Sequence, residues 1–244
     1  MKAGVVKAET VDAEAVKIGS GTAIAGPGGP SGAKLETALS GRRERGNEVN
    51  VSSYPDRLLT LDDWVALEQS DRHHLEVCEG VLIAAPKPGA AHDHAAMVLA
   101  LLLDEILPDE WCALGDAEVL VTEKPLTVRC PDVVVVGREL VEADPDRAPI
   151  SEVKLVVEVT VDGTARTDRV TKFSEYAEAG VPQYWIVDLG GPPVIATFTL
   201  DDGWYRFDGE FDTTTTLRAV GNEVTVTPSA LVPAPVDPVA PAHR

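Results

Sequence analysis

The chain has 244 residues, of which 44% are hydrophobic and 25% are charged, a composition typical of a globular protein with room for one domain and tails. No stretch approaches the roughly 18 uninterrupted apolar residues of a transmembrane helix, and the first residues lack the apolar core of a secretion signal. The formal net charge is −19, which argues against a general nucleic-acid binder with a basic surface, so any nucleic-acid role needs a local basic patch.

The cysteines give no support to a disulfide framework or a cysteine zinc site. They number three, form no CxxC pair, and lie at Cys78, Cys112 and Cys130. An odd count without metal-ligand spacing is typical of small buried thiols in a reducing compartment. We therefore expect a cytoplasmic protein.

Both ends of the chain have the composition of tails. Residues 1–52 are rich in glycine and contain no aromatic residue, which predicts a disordered N-terminal tail. Its basic run Arg42–Arg45 is more typical of a solvated linker than of a nucleic-acid contact. Residues 228–244 contain five prolines, which predicts a second disordered tail. The folded domain is expected over residues 53–227.

The first predicted elements are a helix, a hairpin and a second helix. Thr60 is a candidate N-cap, because acidic residues follow it in the first turn. Residues 75–85 predict a β-hairpin that turns at Glu79-Gly80. A helix is predicted over 93–107, ending before Pro108. One side of it is apolar, through Met97, Val98, Leu101, Leu102 and Ile106.

Strands and one further helix make up the rest of the domain. Strands are predicted over 118–122, 132–136, 153–159, 183–187, 194–200 and 204–207, and the helix over 165–179. The helix is followed by Gly180 and Pro182, which are typical of a helix end. This order predicts an α/β (α+β) domain with a sheet between helices.

Two carboxylates stand at the ends of apolar strands. Asp132 begins a run of valines, and Glu158 lies near the end of another apolar run. If these strands pair antiparallel, the two acids meet at one edge of the sheet, and they then need a cation or a shared proton. Oxygen ligands favour Mg²⁺ or Mn²⁺. Each acid alone is more simply the solvated end of a strand, but the pair together with the next helix favours a metal site.

That helix carries two faces. Val170, Phe173 and Ala177 form an apolar face, whereas Arg169, Lys172 and Tyr176 form a polar one at the same spacing. A lysine beside two carboxylates can stabilise charge on a phosphoryl group. The alternative is an ordinary solvated pair with Asp168.

Four passages resemble the Uma family of restriction-endonuclease-like proteins, a bacterial branch of the PD-(D/E)xK nuclease superfamily. They are LEVCEGVL at 75–82, PKPGAAHDH at 86–94, VRCPDV at 128–133, and LVVEV at 155–159 followed by ARTDRVTKFSEYAEAGVPQYWIVD at 165–188. The resemblance covers about residues 56–210. It implies a restriction-endonuclease-like core with a mixed central β-sheet flanked by helices. It also implies a metal-dependent endonuclease that hydrolyses nucleic acid, DNA above all.

The resemblance also implies roles for individual residues. Asp132 and Glu158 match the two acids of the superfamily motif, and Glu76 matches an upstream glutamate that completes the ligand set for Mg²⁺ or Mn²⁺. The motif lysine position is occupied here by Thr160, so Lys172 from the following helix is the candidate catalytic lysine. Arg169, Tyr176 and His94 match polar positions expected to contact substrate, and His94 fits the family histidine better than His92.

Other functions stay open on the sequence. The main alternative is a catalytically inactive nuclease fold that serves as a binding or regulatory module, which the acidic charge favours. A zinc hydrolase built on His92 and His94 with His73 and His74 is a weaker one. We also expect that the region 183–207 can pair across an exposed sheet edge to form a homodimer.

Overall fold

The computed structural model describes residues 57–67, 73–161 and 166–233, with the backbone alone for 166–169. The helices are α1 (Leu61–Ala66), α2 (Ala90–Ile106), α3 (Arg138–Ala143) and α4 (Arg166–Glu178). The first strands are β1 (His73–Cys78), β2 (Val81–Pro86), β3 (Trp111–Gly115), β4 (Val119–Glu123), β5 (Leu126–Arg129), β6 (Val133–Gly137) and β7 (Ala148–Pro149). The later strands are β8 (Leu155–Thr160), β9 (Gln183–Asp188), β10 (Val194–Asp201), β11 (Trp204–Phe211), β12 (Thr215–Ala219) and β13 (Asn222–Val226). Short 3₁₀ helices lie at Ile150–Glu152 and Pro228–Leu231.

The strands form two larger sheets and one hairpin. The central sheet has the order β11-β10-β9-β8-β6-β3, the second sheet has the order β2-β1-β5-β4-β7, and β12 pairs with β13. Within the central sheet β8 and β9 are parallel, whereas the other neighbours are antiparallel. The predicted mixed central sheet of an α+β domain is therefore confirmed.

The valine strands β6 and β8 form the middle of the core. Alternate side chains of a strand point to opposite faces of a sheet. Val133 and Val135 pack in one cluster with Leu99 of α2, whereas Val134 and Val136 pack in a second cluster with Tyr176 of α4. Each valine is fully buried, worth roughly 1.5–3 kcal/mol relative to exposure. This explains why the strands have no polar alternation, and it gives the sheet a rigid centre.

The capping of α1 and the β1–β2 hairpin follow the sequence signals. The Thr60 hydroxyl accepts a hydrogen bond from the Asp63 amide, and the Asp63 carboxylate accepts one from the Thr60 amide at 2.8 Å. Strands β1 and β2 pair over their whole length around Glu79 and Gly80. Both of these residues have positive φ angles, which suits the turn of a tight hairpin.

The buried face of α2 differs from the predicted one. Ala95, Leu99 and Leu103 are fully buried, whereas Met97 and Leu101 are 54% and 64% exposed. The helix is apolar nearly all the way round, so its pattern does not single out the face that packs on the sheet. On α4 the expected contact of Phe173 and Ala177 with the core is confirmed, but Val170 is exposed.

Several elements gave no clear sequence signal. Strands β3, β5, β12 and β13 and helix α3 were not predicted; the strands are short, and α3 follows β6 without a break. The packed chain also continues past residue 227, because Leu231 of the final 3₁₀ helix is buried in the core. No helix within the described ranges has the length and apolar character needed to cross a membrane.

Strand β11 lies at one edge of the central sheet. Trp204 and Phe207 are exposed on it, as a contact with a second copy would require. The strand also carries Arg206 and Asp208 and an irregular register near Phe207, features that oppose strand addition. A homodimer through this edge stays a prediction.

Candidate active site

Asp132 and Glu158 lie at one end of the neighbouring strands β6 and β8, inside the central sheet. In the antiparallel register Val133 lies opposite Val157, so Asp132, one residue before β6, follows at the position beside Glu158. The Asp132 Oδ2 accepts a hydrogen bond of 2.6 Å from the Val159 amide. The antiparallel pairing expected from the sequence is confirmed, and it fixes Asp132 beside the Glu158–Val159 peptide.

Glu158 is held by two donors from a single face of α4. Its Oε2 lies 3.2 Å from the Lys172 Nζ, and its Oε1 accepts a hydrogen bond of 3.1 Å from the Tyr176 hydroxyl. Residues four apart on a helix lie on the same side, which lets Lys172 and Tyr176 reach one carboxylate. Burial, and then the charge of Glu158, raises the pKa of Tyr176 well above its usual value. Tyr176 therefore stays a protonated donor.

Glu76 from β1 reaches the same lysine. Its Oε1 lies 3.0 Å from the Lys172 Nζ and accepts a hydrogen bond of 3.1 Å from the Cys130 amide. Its Oε2 accepts a hydrogen bond of 2.8 Å from Arg129. Burial alone would raise the pKa of Glu76, but Lys172, His74 and Arg129 outweigh it and hold the pKa well below the usual range. Glu76 is therefore ionised at neutral pH.

Arg129 joins the second sheet to α4. It is fully buried, and its Nε and Nη2 each donate a hydrogen bond of 2.7 Å to the Glu175 carboxylate, while its Nη1 donates to Glu76. Neither Arg129 nor Glu175 was predicted as a site residue from the sequence. The available signal was the charge of Arg129 in an apolar stretch just before Pro131-Asp132. A buried arginine requires acidic partners, so this position predicts a buried ion pair.

His92, and not His94, contacts the acid before β6. The His92 Nε2 lies 3.2 Å from the Asp132 Oδ2, and its Nδ1 lies 3.3 Å from Asp93. Burial would lower the pKa of His92, but the Asp132 and Asp93 carboxylates outweigh it and raise the pKa. His94 is half-buried and makes no hydrogen bond or ion pair with any residue the structure describes. The side chain of Arg169 lies outside the described residues.

A divalent cation fits part of the predicted ligand set. Asp132 and Glu158 lie at the same end of β6 and β8 and are carboxylates, the donors that Mg²⁺ and Mn²⁺ take, but the Glu158 oxygens already face Lys172 and Tyr176. The Asp132 Oδ1 accepts no hydrogen bond from the described part of the chain. Glu76 is different, because both its oxygens already face cationic side chains. Across the described residues, no group of three or more His, Cys, Asp and Glu side chains is arranged to hold a metal ion.

The Cys78 thiol lies at the outer end of this network, and it should react slowly. It is half-buried, and its Sγ donates a hydrogen bond to the Glu175 Oε1 at 3.2 Å. Burial, and then the bond to Glu175, raises the pKa of Cys78 from 9.0 to about 11. The reactive thiolate is then about a hundredfold less populated at pH 8 than for a free thiol. The greater nucleophilicity of a thiolate with a high pKa offsets part of this loss of rate. We therefore expect a disulfide reagent to label Cys78 about tenfold to a hundredfold more slowly than a free thiol.

Labelling with a chromogenic disulfide reagent between pH 7 and 10 measures this rate. Cys112 and Cys130 are buried and should stay unlabelled until urea unfolds the chain. The variant Cys78→Ser, labelled in the same way, identifies the reacting thiol. Labelling of native Cys78 at the rate of the unfolded chain would contradict the prediction.

Comparison with known proteins agrees with the resemblance seen in the sequence. Residues 61–226 match the sequence profile of the Uma2 family, whose description is "Putative restriction endonuclease". Among solved structures, the chain is similar to one described as a "putative nuclease belonging to DUF820" from Anabaena variabilis, with a TM-score of 0.59. The two share 14% sequence identity, and the match covers 71% of this chain and 97% of that one. At this identity the likeness shows the fold. No curated protein matches the sequence.

Proposed function

Because the chain belongs to the Uma2 family, we propose that it is an endonuclease that depends on Mg²⁺ or Mn²⁺ and hydrolyses phosphodiester bonds in nucleic acid, DNA in the first place, within the cytoplasm. The observation that supports the proposal is the placement of Asp132, Glu158 and Lys172 near one end of β6 and β8. The strand register puts Asp132 beside Glu158 along the backbone, and Lys172 lies 3.2 Å from Glu158.

Each of these residues has a chemical task in the proposed reaction. A divalent ion held by Asp132 and Glu158 would polarise a phosphodiester and lower the pKa of a bound water. Asp132 is oriented by the Val159 amide, and Glu158 by Tyr176. Lys172 stabilises negative charge that develops on the phosphate. The buried valines of β6 and β8 keep both acids in register.

A binding or regulatory module without catalysis is the second candidate function. The net charge of −19 favours it, because backbone binding to nucleic acid draws on cationic side chains. At the site itself, Lys172 and Arg129 are already paired with Glu76, so they add little free positive charge. A binding module has no need of a divalent ion, which separates the two candidates.

Cleavage of plasmid DNA, single-stranded DNA and RNA, each with EDTA, Mg²⁺ or Mn²⁺, tests the proposal. We expect cleavage only with metal, and the polymer that is cut identifies the substrate. Asp132→Ala and Glu158→Ala should each lower the rate about a thousandfold or more, because the proposed reaction relies on their charge to hold the ion. Metal-independent cleavage, or variants as active as the wild type, would overturn the two-carboxylate metal mechanism. No cleavage of any polymer would overturn the endonuclease and leave the binding module.

A further inference from the structure

Lys172 is shared by carboxylates from two different sheets. Its Nζ lies 3.0 Å from Glu76 on β1 and 3.2 Å from Glu158 on β8. The lysine side chain is only 8% exposed. A long, flexible ammonium side chain gains a defined position when buried carboxylates flank it on two sides. Glu76 of the second sheet thus helps to fix the position of the Lys172 ammonium group.

Glu76 has no oxygen facing an open position at this end of β6 and β8. Its Oε1 faces Lys172 and the Cys130 amide, and its Oε2 faces Arg129. Arg129 is fully buried and is bound on its other side to Glu175. If Glu76 turned toward a metal ion, Arg129 and Lys172 would each lose one of the two carboxylates that face them, and removing a partner from a buried charge is unfavourable. Asp132, by contrast, has a second oxygen to spare.

We propose that Glu76 is a positioning residue that holds the Lys172 ammonium beside Glu158, and not a ligand of the metal ion. This role rests on the proposed endonuclease function. Arg129 fixes the Glu76 carboxylate, Glu76 fixes Lys172, and Lys172 lies against Glu158. The chain of contacts therefore runs from β5 through β1 and α4 to β8 of the central sheet. Asp132 is then the predicted ligand with an oxygen left for the metal ion, and Glu158 could bind the ion only by exchanging its contact with Lys172 or Tyr176.

Metal binding separates a ligand from a positioning residue. Mn²⁺ titrations followed by electron paramagnetic resonance would compare wild type, Glu76→Gln and Asp132→Asn. We expect Glu76→Gln, which removes no ligand, to bind Mn²⁺ within about threefold of wild type, whereas Asp132→Asn, which removes a carboxylate ligand, binds about tenfold more weakly or worse. Equal losses in both variants would overturn the role of Glu76. Near-ultraviolet circular dichroism, with urea unfolding, checks that the variants are folded.

A double-mutant cycle tests whether Glu76 acts through Lys172. Cleavage rates are measured for Glu76→Gln, Lys172→Met and the double variant. Glu76→Gln alone should cost about tenfold or more, but in the Lys172→Met background it should cost no more than about twofold, because the group it positions is gone. Independent, additive losses would overturn the proposal.

The wild-type protein gives a test that needs no folded variant. In crystals soaked with Mn²⁺, the anomalous signal locates the ion, and the Glu76 carboxylate should lie well outside coordination distance. A Glu76 oxygen within about 2.5 Å of the ion would make it a ligand. If the wild type neither binds Mn²⁺ nor cleaves nucleic acid, both the endonuclease and the role of Glu76 are overturned. If it does both but Glu76→Gln loses Mn²⁺, the role of Glu76 alone is overturned.

Discussion

Replacing Arg129 with methionine should lower the free energy of unfolding by about 3–5 kcal/mol, the range for breaking a buried ion pair by removing one partner. Methionine fills much of the space but leaves Glu76 and Glu175 without the guanidinium that each of them faces. Urea unfolding at pH 7, followed by circular dichroism, measures the loss. Because Arg129 pairs with two carboxylates, Glu76 and Glu175, we expect the largest destabilisation of any single charge removal discussed here.

Arg206→Met is the matched control. Arg206 pairs with Asp208 at 3.2 Å, but its side chain is 63% exposed, and exposed pairs contribute about 1 kcal/mol or less. The same substitution should therefore have a small effect there. If both variants lost equal stability, the buried network would not be what stabilises the fold.

The pH dependence of stability gives a second check on Arg129. In the folded protein the pKa of Glu76 lies well below its ordinary value of 4.5. A depressed carboxyl pKa stabilises the fold above the ordinary pKa, and that contribution is lost as the pH falls from there. The stabilities of wild type and Arg129→Met should therefore approach each other in acid and differ most near neutral pH.

The core of the site could be predicted because it follows from strand chemistry. Runs of valine predict strands that are covered on both faces. One run begins with an acid and the other has an acid near its end, so the two acids come together only if the strands are antiparallel. The register of Val133 with Val157 fulfils that condition. The helix spacing likewise puts Lys172 and Tyr176 on one face of α4, and in the structure both reach Glu158.

The rest of the site depends on contacts between elements far apart in sequence. Arg129 and Glu175 are 46 residues apart, and no local pattern indicates that a strand arginine will lie against a helix glutamate. The choice of His94 over His92 depends on a contact of the same kind, and a substrate role for His94 stays a prediction. The choice relied on which face of α2 packs on the sheet, and an all-round apolar helix leaves that face undefined until the sheet is in place. The face that is buried brings His92 to Asp132.

Lys172→Met should lower the rate of metal-dependent cleavage about a hundredfold to a thousandfold, the usual cost of removing one electrostatic stabiliser of a transition state. Mn²⁺ affinity should not weaken, because the lysine is a cation beside Glu158 and its removal takes away repulsion toward a second cation. Loss of rate with unchanged or tighter metal binding distinguishes a charge-stabilising lysine from a ligand. Single-turnover cleavage at saturating Mn²⁺, together with Mn²⁺ titration, measures both quantities.

Lys154→Met is the control for this lysine. Lys154 lies just before β8, at the opposite end of that strand from Glu158, and its Nζ donates a hydrogen bond to the Ser151 carbonyl. Its removal should leave cleavage within about twofold of wild type, since charges at that distance are largely screened by salt. If Lys172→Met cleaved as fast as Lys154→Met, Lys172 would serve only to neutralise Glu76 and Glu158 in the folded protein. The charge on the phosphate would then have to be stabilised by a group other than the α4 lysine.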